Sequence, residues 1–227
     1  MTYESPSEIH GEIVYPSSER DLPTAATIQQ FRWLSFLKEN LELMYADVAN
    51  VMVAEDLMWY PIEGRSEIRQ APDVTIVFGR PKGDRDSYKQ WEEGNIAPQV
   101  VFEVVYPGYR LVALGVKWDF YSRYGVEEYY AYDPRLPELA GWIRREGEEK
   151  LDFIDEIEEG WTSPRLGIRF EVTPEGLSAY RPDGEKFLSF LELGKSLQQE
   201  RQRADDAIAQ LETLKAQLKE KGIELNN

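Results

Sequence analysis

Three short apolar segments and one helical stretch form the centre of the chain. Residues 71–79 (APDVTIVFG), 98–107 (PQVVFEVVYP) and 127–134 (EEYYAYDP) are rich in Val, Ile, Phe and Tyr and are bounded by Gly or Pro, a pattern that predicts β-strands. Residues 111–124 have helical spacing and are followed by Gly125, which suits the left-handed position after a helix. We expect the rest of the chain to be organised around these elements.

Regular patterns also flank this centre. Residues 24–43 place apolar side chains on one helical face, and Thr24 is a candidate N-cap. Residues 50–61 predict the first strand, whereas the polar residues 80–95 predict a solvated connection. Beyond residue 134 the pattern predicts additional strands, at residues 139–143, 151–154 and 177–180.

The hydrophobic period changes to seven at the C-terminal end. Every seventh position from 197 is apolar: Leu197, Ala204, Leu211, Leu218 and Leu225. Ala207 and Leu214 fill matching d positions, while Glu200 and Lys221 interrupt the pattern. A heptad seam of this kind predicts a short coiled coil. It would pair with a second copy of the chain, fold back on the domain, or stay a solvated helix, and we expect a homodimer.

These patterns divide the chain into three parts. Residues 1–23 are polar, contain three prolines and predict an irregular arm. Residues 24–187 would form the folded domain, and residues 188–227 would form the helical heptad tail.

Two of the predicted strands carry an acidic residue where a buried side chain is expected. Asp73 precedes the apolar residues 74–78, and Glu103 lies within the apolar run 100–105. A carboxylate in a strand buried on both faces is costly unless a charge or a hydrogen bond compensates it. Two such carboxylates on neighbouring strands suit Mg²⁺ or Mn²⁺, which prefer oxygen ligands. Together with Lys117 of the following helix they would form a hydrolytic phosphodiester site.

A purely structural interpretation explains the same residues. Asp73 follows Pro72 and suits the turn that enters a strand. Glu103 would then pair with Lys117 or an arginine in a buried salt bridge, and Lys117 would extend along its helix. The residue pattern alone leaves both interpretations open.

The motifs PDVTIVFG, VVFEVVYP and KWDFYSRYGVEEYYAYDP together resemble the Uma2 family, which belongs to the PD-(D/E)xK restriction-endonuclease-like superfamily. The family pattern has a PDV strand, an EVxS strand, a helix with a Lys and a Tyr four residues later, and then GVxEYW and DP. Its chemistry-bearing positions are held here by Asp73, Glu103, Lys117 and Tyr121.

The resemblance implies an α/β fold: a restriction-endonuclease-like core with a small mixed β-sheet flanked by helices, to which this chain adds C-terminal strands and a coiled-coil-like helix. It also implies a DNA endonuclease that depends on Mg²⁺ or Mn²⁺. Asp73, Glu103 and the backbone carbonyl of Val104 would hold the metal, and Lys117 would lie near the attacking water. Tyr121 would line the same site or pack in the core.

Four departures from the family pattern bear on the candidate site. Tyr106 replaces the Ser after the EVx motif, and Ala113 replaces an Asp four residues before the helix Lys. In the first helix, Ala26 and Gln30 stand where many relatives have an acid and a His. These departures favour an alternative function, a catalytically inactive protein with a nuclease fold that acts as a scaffold and dimerises through its C-terminal helix.

Composition narrows the possible chemistry. The chain of 227 residues has no cysteine, so disulfides and thiolate catalysis are excluded, and with a single histidine, His10, we do not expect a histidine-based zinc site. Its net charge of −16 has the wrong sign for strong non-specific DNA binding. The N-terminus has no apolar segment typical of a signal peptide, and no apolar run reaches the length of a membrane span. We therefore expect a cytoplasmic protein with no membrane partner.

Overall fold

The computed structural model of the protein describes residues 28–105, 111–155, 157 and 160–220. The predictions for the arm, Thr24, Ala26, Tyr106, Lys221 and Leu225 lie outside these residues. The chain divides into two compact units, Met1–Phe187 and Leu188–Asn227. The helices are α1 (Ile28–Met44), α2 (Leu111–Tyr124) and α3 (Phe190–Glu220).

The strands, in chain order, are β1 (Val51–Glu55), β2 (Trp59–Tyr60), β3 (Val74–Phe78), β4 (Tyr88–Lys89), β5 (Val100–Val104), β6 (Glu128–Asp133), β7 (Glu138–Ile143), β8 (Asp152–Phe153), β9 (Trp161–Thr162), β10 (Arg169–Thr173) and β11 (Gly176–Tyr180). Six of them form the main sheet in the order β1-β3-β5-β6-β7-β8. Strands β5 and β6 are parallel and the other neighbours are antiparallel. A parallel pair needs a crossover connection, which α2 supplies. The predicted mixed sheet is confirmed.

Both faces of this sheet are covered. Leu34, Leu37 and Leu41 of α1 belong to the core on one face, and Tyr121 of α2 belongs to the core on the other. All five residues of β5 are buried. Burial on both faces explains why the strand sequences are continuously apolar instead of alternating, and it confirms that helices flank the sheet.

The region before β3 differs from the sequence prediction. The predicted strand over residues 50–61 is interrupted at Asp56, whose φ of 48° lies in the left-handed region and breaks the extended backbone. The chain resumes as β2, which pairs in parallel with β4. The solvated connection predicted over residues 80–95 is therefore wrong at Tyr88, which is buried and donates a hydrogen bond to the carbonyl of Ile96 at 2.7 Å.

Strands β9, β10 and β11 form a separate antiparallel sheet in the order β11-β10-β9. Phe170 of this sheet joins the core on the α1 face of the main sheet. Among the helices of the described residues, none is both long enough and apolar enough to cross a bilayer.

Candidate active site

The register of β3 and β5 brings the two predicted acids together. Val74 pairs with Phe102 in the antiparallel ladder, so one step further along the same register places Asp73 opposite Glu103. Side chains alternate between faces along a strand. Val77 and Val101 lie on the α2 face of the sheet, and by alternation Asp73 and Glu103 are directed to that face as well.

Asp73 is fixed at the end of its strand by hydrogen bonds. Its Oδ2 accepts a hydrogen bond from the backbone N–H of Val104 at 2.6 Å, and the buried side chain of Gln30 from α1 also hydrogen-bonds to it. Desolvation raises the pKa of Asp73, while the nearby charge of Lys117 opposes this rise. A helix that covers the opposite face thus reaches round the sheet end to hold this carboxylate.

Glu103 is fully enclosed, with 1% of its surface exposed. Its Oε2 accepts a hydrogen bond from Lys117 Nζ at 2.7 Å, and its Oε1 accepts one from the Tyr121 hydroxyl at 2.5 Å. The two donors are four residues apart and therefore share one face of α2. Desolvation raises the pKa of Glu103 to about 8, and Asp73 adds to the rise while Lys117 opposes it. Tyr121 therefore lines the site as well as packing in the core.

The charges of this group do not balance. Asp73 and Glu103 bring two carboxylates, and Lys117 brings one ammonium group, itself only 9% exposed. The raised pKa values of both acids show that burial is incompletely compensated. A proton or a further cation at this point would compensate the excess negative charge of the two carboxylates.

The oxygen atoms present fit a hard divalent cation. Each carboxylate oxygen has lone pairs beyond the one used in its hydrogen bond. The N–H and C=O of one strand residue point to the same neighbouring strand, so the carbonyl of Val104 is directed towards the Asp73 side. Among the described residues there is no cluster of three or more His, Cys, Asp or Glu able to hold a metal. Water would complete the coordination, as Mg²⁺ readily allows.

An aromatic wall that the sequence did not indicate supports Tyr121. The ring of Trp59 stacks on that of Tyr121, with centroids 6.5 Å apart and an interplanar angle of 5°. The indole N–H of Trp59 donates a hydrogen bond to Gln90 Oε1 at 3.0 Å. Phe120 packs edge-on against the same indole. These contacts fix the ring whose hydroxyl meets Glu103.

Sequence reasoning also missed a second buried carboxylate, Glu128 at the start of β6. Its Oε1 accepts the backbone N–H of Arg165 at 2.7 Å, and its Oε2 accepts the hydroxyl of Tyr130 at 2.9 Å and that of Ser163. Desolvation raises the pKa of Glu128. The signal was present, since Glu128 begins an apolar strand much as Asp73 precedes one.

The structure shows what two of the departures from the family pattern do. Gln30, at the place of the family's His, still contacts Asp73. Ala113, on α2, contributes no carboxylate. The pair Asp73 and Glu103 therefore provides the acidic groups of this site without the acid that many relatives add from the helix.

Comparisons with known proteins give a structural match and a family match. One solved structure that matches comes from Anabaena variabilis and is described as "a putative nuclease belonging to DUF820"; the two chains are 11% identical, the match covers 63% of this chain and 76% of the other, and the TM-score is 0.46. No curated protein matches the chain significantly. The sequence model of the Uma2 family, described as "Putative restriction endonuclease", matches residues 9–175. The chain therefore belongs to the Uma2 family.

Proposed function

We propose that this protein is a divalent-metal-dependent endonuclease that hydrolyses phosphodiester bonds of DNA in the cytoplasm. The observation that carries the proposal is that β3, β5 and α2 together place Asp73 and Lys117 next to the carboxylate of Glu103. The β3–β5 register sets Asp73 opposite Glu103, and Lys117 of α2 donates to Glu103 at 2.7 Å. Membership of a family described as "Putative restriction endonuclease" supports the same reaction class.

Asp73, Glu103 and the carbonyl of Val104 would hold Mg²⁺ or Mn²⁺, since all three offer oxygen ligands. A bound divalent ion supplies Lewis-acid stabilisation of negative charge on the phosphoryl oxygens. The positive charge of the ion also compensates the excess negative charge that two carboxylates and one ammonium group leave.

The side chains of the protein position and stabilise the reacting groups. Lys117 carries a fixed positive charge beside Glu103, where it stabilises the charge that develops on the phosphate in the transition state. Tyr121 holds Glu103 in one orientation. The backbone N–H of Val104 and the side chain of Gln30 do the same for Asp73. Donors fixed before the substrate arrives need no reorganisation during the reaction.

The net charge of −16 affects substrate binding more than chemistry. A DNA backbone is repelled by an acidic body, so binding depends on local positive charge and on the metal. We expect cleavage to need millimolar divalent ion and to require long incubation at low enzyme concentration.

A plasmid assay tests the proposal. Supercoiled DNA is incubated with Mg²⁺ or Mn²⁺ and the wild type, Asp73→Asn or Lys117→Met. We expect the wild type to nick the plasmid and each variant to lose activity by about 100-fold or more. The matched control is Asp152→Asn, which removes an exposed carboxylate from β8 of the same sheet and should cleave normally.

Two results would contradict the assignment. Nicking that survives in Lys117→Met at the wild-type rate would place the activity elsewhere. Nicking that persists in the wild type with a chelator present would remove the metal from the reaction.

A scaffold without catalytic activity is the second candidate function, and specific observations favour it. Both oxygens of Glu103 are already bonded within the protein, and Ala113 adds no acid. The apolar residues of α3 are exposed, which suits a protein that binds a partner. Calorimetry with Mn²⁺ distinguishes the two functions, because a folded wild type that binds no metal and cuts no DNA fits only the scaffold.

A further inference from the structure

Helix α3 exposes the apolar side of its heptad pattern. It spans 31 residues, and the exposed fractions of Leu197, Leu211 and Leu214 are 73%, 51% and 53%. Ala204 and Ala207 between them are exposed too. A helix in water gains most of its stability by packing an apolar face, so this seam requires a partner.

The order of residues along the seam is close to a palindrome. Reading outward from the midpoint between positions 205 and 206, the equivalent layers are Ala204 and Ala207, Glu200 and Leu211, Leu197 and Leu214, and Leu193 and Leu218. Three of the four layers are identical in residue type. A sequence that reads alike in both directions is complementary to a second copy of itself running the opposite way.

We propose that α3 pairs with α3 of a second copy of this chain as an antiparallel coiled coil whose two-fold axis passes the midpoint of residues 205 and 206. Small residues meet at the centre, where Ala204 faces Ala207 of the second copy, and leucines meet on both sides. The same patch is used by both subunits, as the two-fold symmetry of homodimers requires.

Glu200 decides the direction of the pairing. In a parallel coiled coil each layer faces its own copy, so Glu200 would meet Glu200 at the same d level. In the antiparallel arrangement Glu200 faces Leu211 instead, and two like charges are kept apart. Arg203, one turn on in the same helix, bonds Glu200 at 2.7 Å and supplies its counter-charge. A polar residue at one core position is a common determinant of register and orientation in coiled coils.

The residues beside the seam are compatible with this register. In an antiparallel pair the e positions face e positions and the g positions face g positions. The closest combinations are Arg201 with Ile208 and Arg203 with Gln210. Neither combination sets two like charges against each other, so the flanks add no repulsion.

The first test measures the oligomeric state of the full chain by light scattering on a sizing column across a concentration series. We expect a mass of twice 26.3 kDa at the upper concentrations. Leu197→Glu with Leu211→Glu should raise the concentration at which half of the dimer dissociates by more than about 100-fold, since four layers of the two-fold pair lose apolar contacts. The matched control is Ala209→Glu with Ala216→Glu, which adds the same charge at f positions of the same helix and should remain dimeric.

The second test determines direction and exploits the absence of cysteine in the chain. Leu197→Cys and Leu214→Cys are prepared as separate proteins and oxidised alone and as an equimolar mixture. The antiparallel coil predicts a disulfide-linked dimer only in the mixture, because Leu197 faces Leu214. Circular dichroism of each variant checks that the helix is retained.

Three outcomes overturn the proposal. Linkage of each protein to itself shows a parallel coil. A wild type that stays monomeric at every concentration shows that α3 has no second copy as its partner. Equal dissociation of the f-position control shows that added charge, and not loss of the seam, separates the subunits. None of these results depends on nuclease activity.

Discussion

The two faces of the main sheet each bury one glutamate, and the two carboxylates are treated differently. Glu103, on the α2 face, accepts from an ammonium group and a phenol and lies opposite another carboxylate. Glu128, on the α1 face, accepts only neutral donors, from Tyr130, Ser163 and a backbone N–H. Similar burial therefore gives one carboxylate that lies beside a second acid and an ammonium group, and one that is held by neutral donors alone; the pKa of both is raised.

The difference separates an acid that joins two segments of the fold from one that is a candidate for chemistry. The donors around Glu128 connect β6 to the segment before β10, so they hold distant parts of the chain together. The donors around Glu103 come from one helix and leave Asp73 beside it. Two carboxylates and an ammonium group gathered in one enclosed place are typical of a functional site, whereas a single carboxylate that joins two segments is typical of a structural role.

The largest expected effect that tests this comparison is on stability. Glu128→Ala leaves the buried donors of Tyr130, Ser163 and Arg165 without an acceptor, and an unsatisfied buried donor costs about 1–3 kcal/mol. We expect the free energy of unfolding to fall by about 3 kcal/mol or more. Glu103→Gln should change it by less than about 1 kcal/mol, because Asp73 remains as a counter-charge for Lys117 and the amide oxygen still accepts a hydrogen bond. Urea denaturation measures both.

Glu138→Ala, at the exposed start of β7, is the matched control and should leave the midpoint unchanged. Equal destabilisation by Glu128→Ala and Glu103→Gln would contradict the prediction that only Glu128 is needed for the stability of the fold.

The second largest expected effect is on how the free energy of unfolding depends on pH. The pKa of Glu103 is raised from 4.5 to about 8 in the folded protein, so the folded state holds this proton more tightly than the unfolded state. The resulting stabilisation is fully present below pH 4.5 and is lost as the pH rises through about 8. In Glu103→Gln the free energy of unfolding of the metal-free protein should depend much less on pH. The contributions of Asp73 and Glu128, whose pKa values are also raised, remain.

Divalent metal should stabilise the folded protein more at high pH than at low pH, the opposite of the proton effect. Binding requires the ionised carboxylate, so Mn²⁺ should raise the melting temperature more at about pH 8.5 than at about pH 5.5. Thermal melts with and without Mn²⁺ at both pH values provide the measurement. A metal-induced shift that is independent of pH, or that persists in Glu103→Gln, would be incompatible with Glu103 as the ligand.

The smallest expected effect concerns the phenol of Tyr121. Tyr121→Phe removes the donor to Glu103 Oε1 while the ring still stacks on Trp59. Loss of a group that orients a metal ligand costs about 10–100-fold in affinity or activity, and we expect the lower end because Lys117 still holds the other oxygen.

Tyr124→Phe is the control for this change, since Tyr124 contacts the same indole on the same helix. Mn²⁺ calorimetry should show weaker binding for Tyr121→Phe and unchanged binding for Tyr124→Phe. The same loss in both variants would mean that packing around Trp59, not the phenol, determines affinity.

Much of the fold could be predicted from the local pattern. The structure has strands at β3, β5 and β6, and α2 occupies the residues predicted for it. Gly125 follows with φ of 98°, the left-handed conformation that the helix end requires. The parallel pairing of β2 with β4 was not predicted, because two-residue strands leave no periodic signal and are set by contacts distant in sequence.

The sequence by itself determined that Glu103 lies within a strand buried on both faces and that Asp73 directly precedes another, since a continuous apolar run admits no solvated position for a carboxylate. It also determined the heptad spacing of α3. Only the tertiary structure decided that Asp73 faces Glu103, that Lys117 and Tyr121 take one oxygen each, and that Gln30 reaches Asp73 from the other side of the sheet. Register and helix rotation set these contacts, and both depend on the packing of the whole domain rather than on any single segment.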